Sequence, residues 1–352
     1  MKRLSIADFR FQIGTPAVIA MVLALGLLAA PLPSDGQQLA KVYRIGWLGF
    51  DPTPTNATPH KCPTNGNPRW QAWVEGLRER GYVEGRNLIL ECRWTEGRPE
   101  RATLLAMELV NLKVDLVLAN GTASVLAAKQ ATSAIPIVMV GVLSPVERGL
   151  VASLARPGGN VTGLTNSAGP QIAGKYLQLL KEAVPGISRV ATLAYRANPM
   201  EPPYRFTDEL HAAAQALGVT LHSIEVEGPD GLDHAFAMVA KAQADALLVR
   251  PHPFFLDARR IVDFAAKHRL PAMYPFKEAV EAGGLMAYET DQPDIFQRLG
   301  VYVDKIFKGA KPGDLPVEQP TKFDLIINLN TAKALGITIP KDVLLRADEV
   351  IQ

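Results

Sequence analysis

The chain has 352 residues, 48% hydrophobic and 20% charged, with a formal net charge of +2. That length holds about two domains of roughly 100–200 residues, and the apolar content excludes disorder over most of the chain. A near-neutral balance with no basic stripe and no block of like charge argues against nucleic-acid binding.

The first segment reads as an export signal. Lys2, Arg3 and Arg10 precede an apolar run, Ala17–Ala30, too short for a span of about 20 apolar residues. Ser34-Asp35-Gly36 places small residues where a signal peptidase needs them, so residues 1–36 are expected to be removed; a cut after Ala30 and an uncleaved anchor are the competing readings. No lipobox cysteine or twin arginine lies nearby, which favours the general export route and a periplasmic location.

Beyond the signal, Tyr43–Gly49 predicts a buried strand and Asp51–Pro68, rich in Pro, Asn and Thr, predicts a loop. Helices are expected over Trp70–Arg80 and Arg98–Asn111, with a strand between them at Leu88–Trp94. The next stretch, Asp115–Gly163, is the most informative: a strand (Leu116–Ala119), a turn (Asn120-Gly121-Thr122), a helix, a strand (Ile137–Val142) and a polar turn at Ser144-Pro145. A strand-like piece, Asn160–Leu164, follows, and the pattern then starts again. Strands are expected at Val190–Ala194, Thr220–Val226, Ala246–Val249, Ala272–Tyr274 and Leu285–Tyr288. Helices are expected at Ile172–Ala183, Asp208–Leu217, Asp233–Ala242 and Ala258–His268. The tail adds a helix (Ile295–Phe307), a strand (Phe323–Ile327) and a short helix (Thr331–Leu335). Alternation at this spacing, repeated over two blocks, predicts an α/β protein with two Rossmann-like lobes and parallel sheets.

Candidate site residues cluster at expected strand ends, where open parallel sheets bind ligands. Gly121 lets a ligand approach the backbone, Thr122 is the expected N-cap, and the helix it opens suits an anion. Ser144 and Pro145 end the neighbouring strand. Asn166, Ser167, Tyr195, Arg196 and Asn198 are expected to face the same cleft from the second block, as is Arg250-Pro251-His252. Trp47, Tyr195, Tyr274, Phe276 and Tyr288 supply aromatic surface at equivalent edges, and Gly49 ends the first strand. Taken singly, each of these residues is also compatible with an ordinary cap or core position. Gly169–Lys175 has the spacing of a phosphate loop but lacks its Ser/Thr, and neither a GxSxG elbow nor HExxH occurs. No catalytic residue, metal site or cofactor is therefore expected. Cys62 and Cys92 either pair in an oxidising compartment or remain free thiols.

Several long runs resemble the solute-binding proteins of bacterial ABC transporters, in the tryptophan/tyrosine-type substrate-binding family. They are GTASVLAAKQAT, SPVERGLVASLARPGGNVTGLT, ADALLVRP, KHRLPAMYPFKEAVEAGGLMAYE and YVDKIFKGAKPGDLPVEQPTKFDLIINLNTAKALGITIP. The resemblance covers nearly all of the chain after the signal. It implies a type I periplasmic-binding fold with three crossovers, one lobe formed by residues 43–161 plus 290–313 and the other by 162–289 plus 314–352. It further implies a monomer that captures an amino-acid-like or carboxylate-bearing small molecule and docks on an ABC permease. By this similarity Asn120-Gly121-Thr122, Ser144-Pro145 and Asn166 would hold the polar end of the ligand and the aromatics its apolar part. Alternatives are the ligand-binding component of a periplasmic sensing system and an enzyme on the same fold. The Asp51–Pro68 loop and the cysteine pair depart from the family pattern, which puts the roles of Trp47 and Gly49 in question.

Overall fold

The computed structural model describes residues 41–50, 62–63, 68–166, 169, 171–195, 205–228, 230–252 and 258–352. The expected signal segment and the candidates Ser167, Arg196 and Asn198 lie outside the described residues. No helix among the described residues is long and apolar enough to cross a membrane.

Two sheets organise the chain. The first has the order β2-β1-β3-β4-β5, made by β1 (Tyr43–Gly49), β2 (Leu88–Trp94), β3 (Leu116–Asn120), β4 (Ile137–Val142) and β5 (Val161–Thr165), all parallel. Helices α1 (Pro68–Arg78), α2 (Ala102–Asn111) and α3 (Thr122–Ala131) connect its strands. All five residues of β3 are buried, as expected of a parallel strand covered on both faces. Side chains alternate across the sheet, which separates two cores. Ile45, Trp47, Leu90, Cys92, Leu116 and Leu118 pack beneath α1, whereas Leu48, Val117, Ala119 and Met139 pack beneath α2 and α3.

The second sheet has the order β12-β11-β10-β9-β8-β6-β7. Its strands are β6 (Arg189–Tyr195), β7 (Thr220–Val226), β8 (Ala246–Val249), β9 (Ala272–Tyr274), β10 (Met286–Thr290), β11 (Phe323–Asn328) and β12 (Glu349–Ile351). Helices α4 (Ile172–Ala183), α5 (Phe206–Leu217), α6 (Leu232–Lys241), α7 (Arg259–Lys267) and α8 (Lys277–Glu281) link them. After α9 (Gln292–Phe307) the chain adds β11, α10 (Leu329–Leu335), α11 (Lys341–Leu344) and β12. Pairing is parallel except between β10 and β11. The pieces α8, α11 and β12 have no counterpart in the sequence pattern, because three to five residues are too few to establish a period; β10 and β11 were expected as strands, but their antiparallel pairing departs from the expected parallel sheets, because spacing carries no strand direction.

The chain passes between the sheets three times. It leaves the first after β5, returns after β10 as α9, which packs on α1, β4 and β5, and leaves again after residue 318. The last passage is pinned to β5 by Thr165 N–H on the Glu318 carbonyl (2.9 Å) and Glu318 N–H on the Gly163 carbonyl (3.0 Å). Asp291 caps α9, its side chain accepting from Asp294 N–H at 3.0 Å. The return helix seats closely because Gly76 of α1 and Gly300 of α9 face each other; a Cβ on either would strike the backbone of the other helix. Around that contact Trp73, Leu77, Leu299 and Val303 are fully or almost fully buried, each such side chain contributing about 1.5–3 kcal/mol.

Candidate functional site

The carboxyl ends of the two parallel arrays meet, and a small set of residues crosses between them. On the α2 side of β1 the crossing is closely packed. Phe50, one residue beyond β1, meets Tyr195 edge-on at 5.7 Å and His252 edge-on at 4.8 Å, and Tyr195 stacks on His252 at 4.5 Å. The Tyr195 hydroxyl donates to the Gly97 carbonyl at 2.5 Å, joining the loop after β2 to the end of β6. Burial, reinforced by the charges of Arg148 and Arg250, lowers the His252 pKa to about 3, so this imidazole is neutral across physiological pH.

The α1 side has a different character. All four tryptophans of the chain gather there: Trp47 lies 5.3 Å from Trp70, 5.0 Å from Trp73 and 6.1 Å from Trp94, centroid to centroid. Gly49 accommodates them, since a Cβ at this position would sit 2.5 Å from the Trp94 ring and 2.6 Å from Trp47 Nε1. Asn120 continues the face of Leu116 and Leu118, so it belongs to this side as well. Arg69, at the start of α1, reaches across to Glu278 of α8 at 2.8 Å and lies over the Phe276 ring at 5.2 Å. Glu289, near the end of β10, faces the same ion pair. Its burial, followed by the charge of Glu278, raises its pKa to about 8 against the opposing pull of Arg69.

Buried polar atoms without a hydrogen-bond partner collect on this side. They include the indole nitrogens of Trp47, Trp73 and Trp94, Arg69 Nε, Glu278 Oε2 and Glu289 Oε2, with Ser144 Oγ at the end of β4. Buried polar groups are ordinarily paired, so a concentration of exceptions at the joint of two sheets is the pattern expected where a polar ligand is held.

The structure brings together some of the residues singled out from the sequence and separates others. The two turns expected to be neighbours are neighbours: Asn120 pairs in register with Val140, and Gly121 N–H donates to the Val140 carbonyl at 2.9 Å. The N-cap of α3 is Gly121, at φ +87°, and carries no side-chain cap bond; Thr122 is the first helical residue. Glycine takes that φ without a Cβ penalty, so the turn and the cap fall at Gly121, one residue earlier than expected. Ser144 has φ +51°, a sparsely populated conformation for a serine, and precedes the buried Pro145.

Asn166 sits at the end of β5, on the first sheet and not the second. It accepts from Gly141 N–H at 3.2 Å and donates to Gln292 Oε1 at 3.1 Å; Gln292 in turn donates to Thr290 Oγ1 at 2.6 Å. Asn166 therefore ties the first passage between the sheets to the second. Tyr274 packs beneath α7 and α8, its ring against Gly284, and burial raises its hydroxyl pKa. Tyr288 stacks on Phe323 at 5.4 Å on the opposite face, edge-on to Tyr176 of α4. Both tyrosines lie in helix–sheet packing, on opposite faces of the second sheet. Pro251 leads into His252. Cys62 and Cys92 are bridged, with Cα atoms 5.1 Å apart, which anchors the loop before α1 beside Trp47, the register partner of Cys92.

Phe50, Arg69, Glu278 and Glu289 were not identified from the sequence. Glu289 carried one signal, a carboxylate closing the apolar run Leu285–Tyr288. Arg69 carried none, since its partner lies more than 200 residues away.

The sequence matches the family model described as ABC transporter substrate binding protein over residues 69–351. It is 27% identical to a tyrosine-binding protein of Clostridioides difficile over 268 residues, 76% of each chain. Among solved structures it is similar to a conserved domain protein from Vibrio cholerae, with a TM-score of 0.77 and 26% identity over 88% of this chain and 100% of that one. It is also similar to an ABC domain from Streptococcus pneumonia in complex with L-Trp, with a TM-score of 0.74 and 27% identity over 87% of this chain and 100% of that one.

Proposed function

We propose, from the premise that this chain belongs to the ABC transporter substrate binding protein family, that it is exported to the periplasm, captures an aromatic amino acid or a close analogue between its two sheets, and delivers it to a membrane permease. The observation that carries this reading is the group of unpartnered buried polar atoms on the tryptophan-lined side of the seam. The relatives named for tyrosine and crystallised with L-Trp support the ligand class.

In this reading the ligand carboxylate approaches the start of α3. There Gly121 leaves the backbone open, and the first N–H groups have no intrahelical acceptor. Asn120 and Ser144 add side-chain contacts from β3 and β4, and the indoles of Trp47, Trp70 and Trp94 cover the aromatic part. Capture proceeds by closure of the two halves about the passages that Asn166 and Gln292 tie together, a hinge motion. Contacts that form fully only when both halves meet shift the population towards the closed state.

The test is a thermal-shift titration with L-tryptophan and L-tyrosine, repeated on Asn120→Ala and Ser144→Ala. A ligand at 100 times its Kd adds about 2.7 kcal/mol of stability. Each substitution is expected to weaken binding roughly 10- to 100-fold, as removal of a hydrogen bond to a charged group does. Unchanged shifts in both variants would place the ligand elsewhere.

A further inference from the structure

The polar cluster between α1 and α8 is more than a clasp between the two halves. Arg69 and Glu278 satisfy each other through one nitrogen and one oxygen at 2.8 Å, while Oε2 of both Glu278 and Glu289 has no donor. Phe276 presents its ring at the same point, beneath the guanidinium. Two unsatisfied carboxylate oxygens beside an aromatic face suit a group that donates several hydrogen bonds and carries positive charge. An ammonium does both: it has three donors and no acceptor, and it is attracted to a ring face. We infer that Glu278 and Glu289, with Phe276 alongside, receive the ammonium end of the bound ligand, and that its arrival drives the proton off Glu289. The inference rests on the proposed capture of an amino-acid-like ligand and specifies how that ligand is held and selected.

Charge balance supports the proton step. Arg69 of α1 and Glu278 of α8 cancel. Lys277 of α8 is matched by Glu349 of β12 at 2.6 Å and by Glu281 at 3.6 Å. The inner set of Arg69, Glu278 and Glu289 is therefore neutral when Glu289 is a carboxylic acid, which agrees with the raised pKa of that group near 8, and the excess negative charge of Glu281 and Glu349 over Lys277 sits on exposed side chains, where solvent screens it. A cation entering this half-buried inner set is balanced when Glu289 ionises: the O–H bond breaks, the electron pair stays on the carboxylate and the proton passes to solvent. A neutral ligand of the same shape gives no such exchange.

The test is isothermal titration of the intact protein with L-tryptophan and L-tyrosine between pH 6 and pH 7.5, in buffers of different ionisation enthalpy. The ammonium-free counterparts, indole propionate and hydroxyphenyl propionate, serve as controls. Binding of the amino acids is expected to release close to one proton and to tighten about tenfold per pH unit, whereas the ammonium-free compounds bind at least tenfold more weakly at the upper pH, with no proton release. Glu289→Gln is expected to abolish both the release and the pH slope for the amino acids, and proton counting on the unmodified protein gives the answer independently of any variant. Amino-acid binding without proton release, or an equal affinity for the ammonium-free compounds, overturns the inference and leaves the proposed function standing. Failure of both amino acids to bind at any pH overturns the proposed function, and the inference with it.

Discussion

Removing the Cys62–Cys92 bridge is expected to lower the unfolding free energy by about 3–4 kcal/mol, the chain-entropy value for a closed loop of this length. The two cysteines lie 30 residues apart in sequence, and the segment they enclose includes α1 with Arg69, Trp70 and Trp73. Cys92 is fully buried in β2, in register with Trp47 and two residues before Trp94. The bridge therefore holds the approach to α1 against the strand that carries the aromatic surface. Denaturant unfolding of the native protein and of the Cys62→Ser/Cys92→Ser variant measures the effect. Ligand affinity should fall along with stability, because freeing this segment loosens Arg69 and Trp70 together. An unchanged midpoint would mean that the bridge constrains little, and intact mass with and without reductant verifies that it forms in the purified protein.

The second large effect concerns Glu289. Its pKa is raised from 4.5 in the unfolded chain to about 8 in the folded protein, so the folded state binds more protons between those values. Its stabilising contribution is fully present below 4.5 and is lost progressively as the pH rises through about 8. His252 has the opposite sign: lowered from 6.5 to about 3, it makes stability rise with pH up to 6.5. Between pH 6.5 and 8 only the Glu289 slope of the two remains, and over that interval it amounts to roughly 2 kcal/mol. Chemical denaturation across this window is expected to show ligand-free protein losing stability with rising pH and Glu289→Gln losing markedly less. Parallel profiles for the two proteins would show that the carboxyl is already ionised at neutral pH.

The alternation of strands and helices was legible in the sequence because parallel strands buried on both faces leave continuous apolar runs such as Leu116–Ala119 and Ala246–Val249. The juxtaposition of Asn120-Gly121-Thr122 with Ser144-Pro145 was legible for the same reason, since two successive strands with a helix between them become neighbours. The choice of aromatics was not. Tyr274 and Tyr288 lie near strand ends just as Trp47 does, and all three are packed beneath helices; one-dimensional spacing does not say which of such covered rings borders the other sheet. Asn166 shows a related difficulty: the second lobe was expected to begin at residue 162, but β5 pairs with β4 in the first sheet, which places the asparagine that follows it on that sheet and in the link with Gln292. Arg69 and Glu278 illustrate the limit most clearly. Each alone reads as a charged residue near a helix start, and only the return of the chain through α9 and the meeting of the sheets makes them partners.

Capture of a small amino-acid-like molecule without turnover is the central claim, and one titration tests it most directly. Calorimetry of the purified protein, with the ligand recovered afterwards and identified by mass, is predicted to show one L-tryptophan or L-tyrosine bound per chain and returned unchanged. Absence of heat and of any bound molecule for both, or recovery of a chemically altered product, would contradict the account.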